Sequence, residues 1–104
     1  MARKEQLEVM LKSDPEDAFL LFAYAKEFEK LNDTSKALEI YQKLLGLDPK
    51  YVGTYYHLGK LYEDMDDKEK AIQIYEQGIN VTKEAKDLHA LSELQSAKMN
   101  CEID

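Results

Sequence analysis

Apolar residues recur along this chain at intervals of three and four. Leu58, Leu61, Tyr62 and Met65 follow that spacing, and so do Ala71, Ile72, Tyr75 and Ile79. Such a pattern covers one face of an α-helix, whereas a half-buried strand would alternate with period two, and no stretch sustains that alternation. Asp33 and Asp67 each stand just before a new periodic run, where a side-chain oxygen can accept from the free N–H groups of a helix N-terminus. Two prolines and four glycines are too few breakers for many short strands, and both prolines follow an aspartate, in Asp14-Pro15 and Asp48-Pro49. The pattern predicts an all-α chain with helices over 3–12, 16–31, 34–46, 50–65, 68–81 and 84–101, joined by tight turns.

A search for internal repeats adds the most. Displacing the chain by about 34 residues, the period of one helix–turn–helix repeat class, lays residues 16–49 on 50–83. Lys26 then meets Lys60, Glu29 meets Glu63, Asp33 meets Asp67, Lys36 meets Lys70, Ala37 meets Ala71, Ile40 meets Ile74 and Tyr41 meets Tyr75. Phe28 pairs with Tyr62 and Ala25 with Gly59. Ala25, Ala37, Gly59, Ala71 and Gly78 are small where two helices must approach closely, and the large aromatics fill the space beside them.

These positions resemble the tetratricopeptide repeat. Tyr55, Leu58-Gly59, Tyr62, Ala71, Tyr75 and Gly78 fall in its pattern, and Leu21, Tyr24-Ala25, Phe28, Ala37, Tyr41 and Asp48-Pro49 fall in it again. Leu7, Met10, Leu11 and Asp14-Pro15 sit one period before Tyr41, Leu44, Leu45 and Asp48-Pro49. The resemblance implies a right-handed array of helical hairpins in one domain over 1–104: a half repeat at 3–13, repeats at 16–49 and 50–83, and a capping helix at 84–101 with one polar face. The sequence is similar to small stand-alone bacterial proteins of that family.

Composition narrows the function. Apolar residues make up 44% and charged residues 34%, the profile of a soluble globular chain and not of a disordered one. Twenty-one acidic residues against fourteen basic ones leave a net charge of −7, which repels phosphate backbones and anionic lipid surfaces, so neither nucleic acid nor membrane is expected as a partner. The lone Cys101 cannot form an internal disulfide, and the chain start turns charged at Arg3-Lys4-Glu5 without the apolar core that a signal peptide needs; a cytoplasmic location is expected. His57 and His89 lie far apart without a cluster of further ligands, and the acidic run 63–67 lacks the glycine and distal glutamate of a calcium loop. No metal, no cofactor and no enzymatic activity are therefore expected; Asp67 reads as a helix cap.

The resemblance further implies that the first helix of each repeat lines a concave groove and binds a protein or peptide. Its groove-facing positions would include Phe19, Phe22, Ala23, Lys26, Glu29 and Lys30 in one repeat, and Gly53, Tyr56, His57, Lys60, Glu63 and Asp64 in the next. The partner-binding set is accordingly Phe19, Phe22, Lys26, Glu29, Tyr56, His57, Lys60 and Glu63. Phe22 stands where relatives that grip a terminal carboxylate place a lysine, and Lys26 and His57 where they place asparagines, so that clamp is not expected here. The run 18–25 is apolar all round the helix, so a peptide, a second protomer or the N-terminal helix should cover Phe19 and Phe22. The expected function is a protein-interaction module; the alternative is a structural homo-oligomer that buries this inner face against its own copy. Phe22→Lys is expected to remove binding while sparing the fold.

Overall fold

The computed structural model describes residues 2–103. Its helices are α1 (Arg3–Ser13), α2 (Ala18–Lys30), α3 (Thr34–Leu47), α4 (Gly53–Asp64), α5 (Lys68–Ala85) and α6 (Leu88–Ile103). No strand occurs among the described residues, in keeping with the all-α expectation. The helices sort into two compact units, one up to Tyr51 and one from Val52 onward.

In the first unit α2 and α3 form a hairpin, and α1 packs against α2. The turn between α2 and α3 explains why the chain reverses there. Asn32 adopts a left-handed backbone with φ of 60°, a conformation in which asparagine is among the less penalised residues. The N–H of Asn32 donates to the Glu29 carbonyl at 3.0 Å and that of Asp33 to the Phe28 carbonyl at 2.9 Å, which closes α2. The Asp33 side chain then accepts from the Lys36 N–H at 3.2 Å and opens α3. Between the two helices, Ala25, Ala37 and Tyr41 are completely buried. The Tyr41 hydroxyl donates to the Glu29 carboxylate, tying the end of α2 to the middle of α3. In α1 only Leu7 is buried, while Val9 and Met10 stay exposed.

In the second unit the turn between α4 and α5 repeats the device: Asp66 has φ of 61°, the Asp67 N–H donates to the Tyr62 carbonyl at 2.9 Å, and Asp67 caps Lys70 at 3.2 Å. Tyr75 donates to Glu63 as Tyr41 does to Glu29. Gly59 lies directly under the Tyr75 ring, which a Cβ would overlap. A Cβ on Gly78 would stand 2.6 Å from that of Tyr55 and 2.9 Å from Leu94 Cδ1.

The fourth helix starts at Gly53 where 50 was expected, and the boundary between the last two helices departs furthest from expectation. Residues 84 and 85 close α5 and do not open the last helix, which starts at Leu88 and runs to Ile103. The cause is a third copy of the same turn. Lys86 takes the left-handed conformation with φ of 59°, the Asp87 N–H donates to the Thr82 carbonyl at 3.0 Å, and Asp87 caps Ala90 at 3.1 Å. α6 buries Leu94, Ala97 and Cys101. Leu88, Met99 and Ile103 of this helix are 72%, 55% and 75% exposed. Apolar residues are spread around this helix, so a single covered stripe cannot take them all.

Candidate partner-binding faces

In the first unit Asp17 sets the start of α2 by accepting from the Leu20 N–H at 2.9 Å. The helical period then turns Leu21, Ala25 and Phe28 inward and leaves Phe19 and Lys26 outside. Phe19 is 64% exposed, so α1 does not fold back to cover it. Phe22 is half-buried, its ring centroid 6.1 Å from that of Tyr41 and 5.4 Å from that of Tyr51. The Phe22 ring is thus seated on two tyrosines, so Phe22→Lys would disturb packing as well as the exposed surface, whereas Phe19 is the more exposed of the two.

The Lys26 Nζ lies 5.5 Å from the Phe22 ring centroid, within reach of the ring's negative face. Arg3 from α1 and Lys30 from α2 join Phe19, Phe22, Ala23 and Lys26 around a recess of about 480 Å³. Glu27 supplies its carboxylate, which Arg3 approaches at 3.1 Å and Lys30 at 3.8 Å. Sequence reasoning did not bring Arg3 or Glu27 to this face. Nothing in the sequence pattern of α1 tells which of its charges leans over the next helix.

In the second unit Tyr56 and Lys60 repeat the arrangement one period on, with the Lys60 Nζ 5.6 Å from the Tyr56 ring centroid. His57 meets Tyr56 edge-on at 5.7 Å. α6 contributes a polar stripe that the sequence reading left out. His89, Ser92, Glu93, Ser96 and Asn100 border a recess of about 280 Å³ with Tyr56 and Lys60. A second recess, of about 200 Å³, lies between His57, Tyr56 and the α6 residues Ala90, Glu93 and Leu94. The signal was present as an i, i+4, i+7, i+11 spacing of His89, Glu93, Ser96 and Asn100.

Glu29 and Glu63 are engaged inside their hairpins, each accepting from a tyrosine hydroxyl. Burial, reinforced by that carboxylate, pushes the phenols of Tyr41 and Tyr75 far above the ordinary tyrosine value. Tyr24, partly buried and donating to Glu8 at 2.6 Å, is pushed up to about 12 by the same two causes. Among the described residues no group of three or more His, Cys, Asp or Glu side chains could hold a metal ion. No helix there is long and apolar enough to cross a membrane.

Each of the two helical hairpins is closed by the same turn device and carries a tyrosine bound to a glutamate, and a family model described as tetratricopeptide repeat matches residues 29–94. The chain belongs to the tetratricopeptide repeat family. This tetratricopeptide repeat protein is similar to a tetratricopeptide repeat domain protein from Salinibacter ruber, known from a solution structure. The two are 50% identical over 86% of this chain and 90% of that one, with a TM-score of 0.82. A protein from Bordetella parapertussis is 26% identical over 98% of this chain and 89% of its own, with a TM-score of 0.84. The TPR2B domain of yeast Sti1, solved as a complex with pHsp70, superposes with a TM-score of 0.87 over 95% of this chain and 79% of its own; at 18% identity it shares the fold. A search of curated protein sequences finds no match.

Proposed function

We propose that this tetratricopeptide repeat chain is a protein-interaction module whose contacts lie on the outward faces of α2 and α4. The observation that carries the reading is the exposed Phe19 beside an aromatic–lysine pair, Phe22 with Lys26, together with the same pair one period later, Tyr56 with Lys60. A large aromatic left mostly in water costs solubility and does nothing for the core, whereas aromatic side chains flanked by cations make efficient anchors for a partner. His57 borders the same α4 surface and completes the contact set. Glu29 and Glu63 serve this reading from behind, holding the hairpins through Tyr41 and Tyr75. Tetratricopeptide repeats mediate protein–protein interaction, and the yeast domain of this fold was seen with pHsp70, which supports a protein or peptide ligand here.

Peptides selected from a displayed library on the purified protein test the proposal. Phe19→Lys is expected to weaken the selected peptides roughly tenfold or more, the effect of losing an anchor, with an unchanged helical circular-dichroism spectrum. Tyr56→Lys provides the matching variant on α4. Peptides that bind both variants as tightly as the wild type would remove the contacts from these faces. Burial of the α2 face against a second copy is the competing outcome.

A further inference from the structure

Resting on that reading, we propose that the α2 recess takes an acidic, extended segment of a partner protein with the pattern apolar–x–acid–x–acid. Phe22, Lys26 and Lys30 form one stripe on α2, each a single turn from the next. Four helical residues advance about 6 Å, and alternate side chains of an extended chain stand about 6.7 Å apart on one side. An extended segment lying along α2 therefore places three alternate side chains over Phe22, Lys26 and Lys30 in turn. The first meets an aromatic floor, with Phe19 exposed beside it. The next two meet ammonium groups.

Charge sets the sign of the ligand. The chain carries −7 overall, yet this recess holds three cations, Arg3, Lys26 and Lys30, against the single carboxylate of Glu27. That carboxylate is nearly buried, with 12% of its side chain exposed, and both Arg3 and Lys30 already lean on it. The Lys26 Nζ lies over the Phe22 ring, while the Glu27 carboxylate is approached by Arg3 and Lys30. Two cationic equivalents are left over, which matches two side-chain carboxylates. A nucleic acid would bring a long run of phosphates against the net negative charge of the whole chain. Both acids in the pattern are side chains, so the segment needs no free C-terminus.

The test uses the full chain and three fluorescein-labelled probes. These are the amidated peptide Ser-Leu-Ser-Glu-Ser-Glu-Ser, its counterpart with both glutamates replaced by lysine, and the acidic peptide with a free C-terminus. Affinity is read by anisotropy and the site by amide chemical-shift mapping. The acidic peptides are expected to bind roughly tenfold tighter than the lysine peptide, equally with or without the amide, with shifts centred on Phe19, Phe22 and Lys26. Lys26→Glu is expected to abolish the preference and Lys26→Gln to reduce it, both with folding intact because Lys26 is exposed. A preference that survives Lys26→Glu overturns the proposal. Equal binding of acidic and basic peptides at Phe19 and Phe22 overturns the acidic ligand while leaving the interaction face in place. Shifts confined to other residues, or no shift at millimolar peptide, overturn both.

Discussion

Gly59 and Gly46 both stand inside helices, yet they are there for opposite reasons. A Cβ on Gly59 runs into the fully buried Tyr75 ring, whereas one on Gly46 meets nothing within 4 Å. Glycine in an open helix position costs conformational entropy relative to alanine, so Gly46→Ala is expected to raise stability by roughly 0.5–1 kcal/mol. Gly59→Ala forces a ring that has nowhere to go and is expected to cost about 1–3 kcal/mol. Urea denaturation midpoints of the two variants check the pair, and a tolerated Gly59→Ala would mean that the ring is not seated there. The requirement for a small residue at Gly59 was legible from the repeat register alone. The difference between Phe19 and Phe22 was not. Both read as apolar residues on one helix, and only the positions of Tyr41 and Tyr51 decide that one ring is held and the other is bare.

At the scale of the element, each hairpin is fastened by a tyrosine hydroxyl donating to a glutamate on the facing helix, Tyr41 to Glu29 and Tyr75 to Glu63. Removing the hydroxyl in Tyr75→Phe leaves a half-buried carboxylate short of one donor and is expected to cost about 1–2 kcal/mol at neutral pH. The pH dependence has a definite sign. The phenols of Tyr24, Tyr41 and Tyr75 are raised in the folded state. An unfolded tyrosine ionises near pH 10, so the folded chain holds protons that the unfolded chain has released above that pH. Their contribution is complete below about pH 10 and is lost as the pH rises through the folded values; for Tyr24 that window closes at about 12. Denaturation curves taken across this range should show stability falling as the solution becomes alkaline, and falling less steeply in Tyr75→Phe. An unchanged slope in that variant would dissociate Tyr75 from the linkage.

Element boundaries show how far pattern reading reaches. The turns at Asn32-Asp33 and Asp66-Asp67 were legible because aspartate caps announce a helix start. The turn at Lys86-Asp87 was hidden by its lysine, a residue that seldom occupies a left-handed position. The repeat period itself pointed to a new helix at 84, but Thr82, buried and donating to the Gly78 and Ile79 carbonyls, continues α5 past that point.

For the whole molecule, an acidic chain that belongs to the tetratricopeptide repeat family displays an aromatic, cation-rimmed recess beside α2 in its first unit and two recesses between α4 and α6 in its second. The family and the all-α class followed from residues in register, because packing constrains those positions in every copy of the repeat. Contact residues carry no such constraint. Arg3 and the α6 stripe came into view only when the helices were placed. On the proposed function the α2 face stays open for a different protein and is not spent on self-association, and light-scattering mass across a concentration series, for the wild type and for Phe19→Lys, decides between the two. A monomer at every concentration in both proteins is the predicted result. A dimer or larger assembly that Phe19→Lys dissolves would contradict the account, since it would assign the exposed aromatic surface to a second copy of the chain.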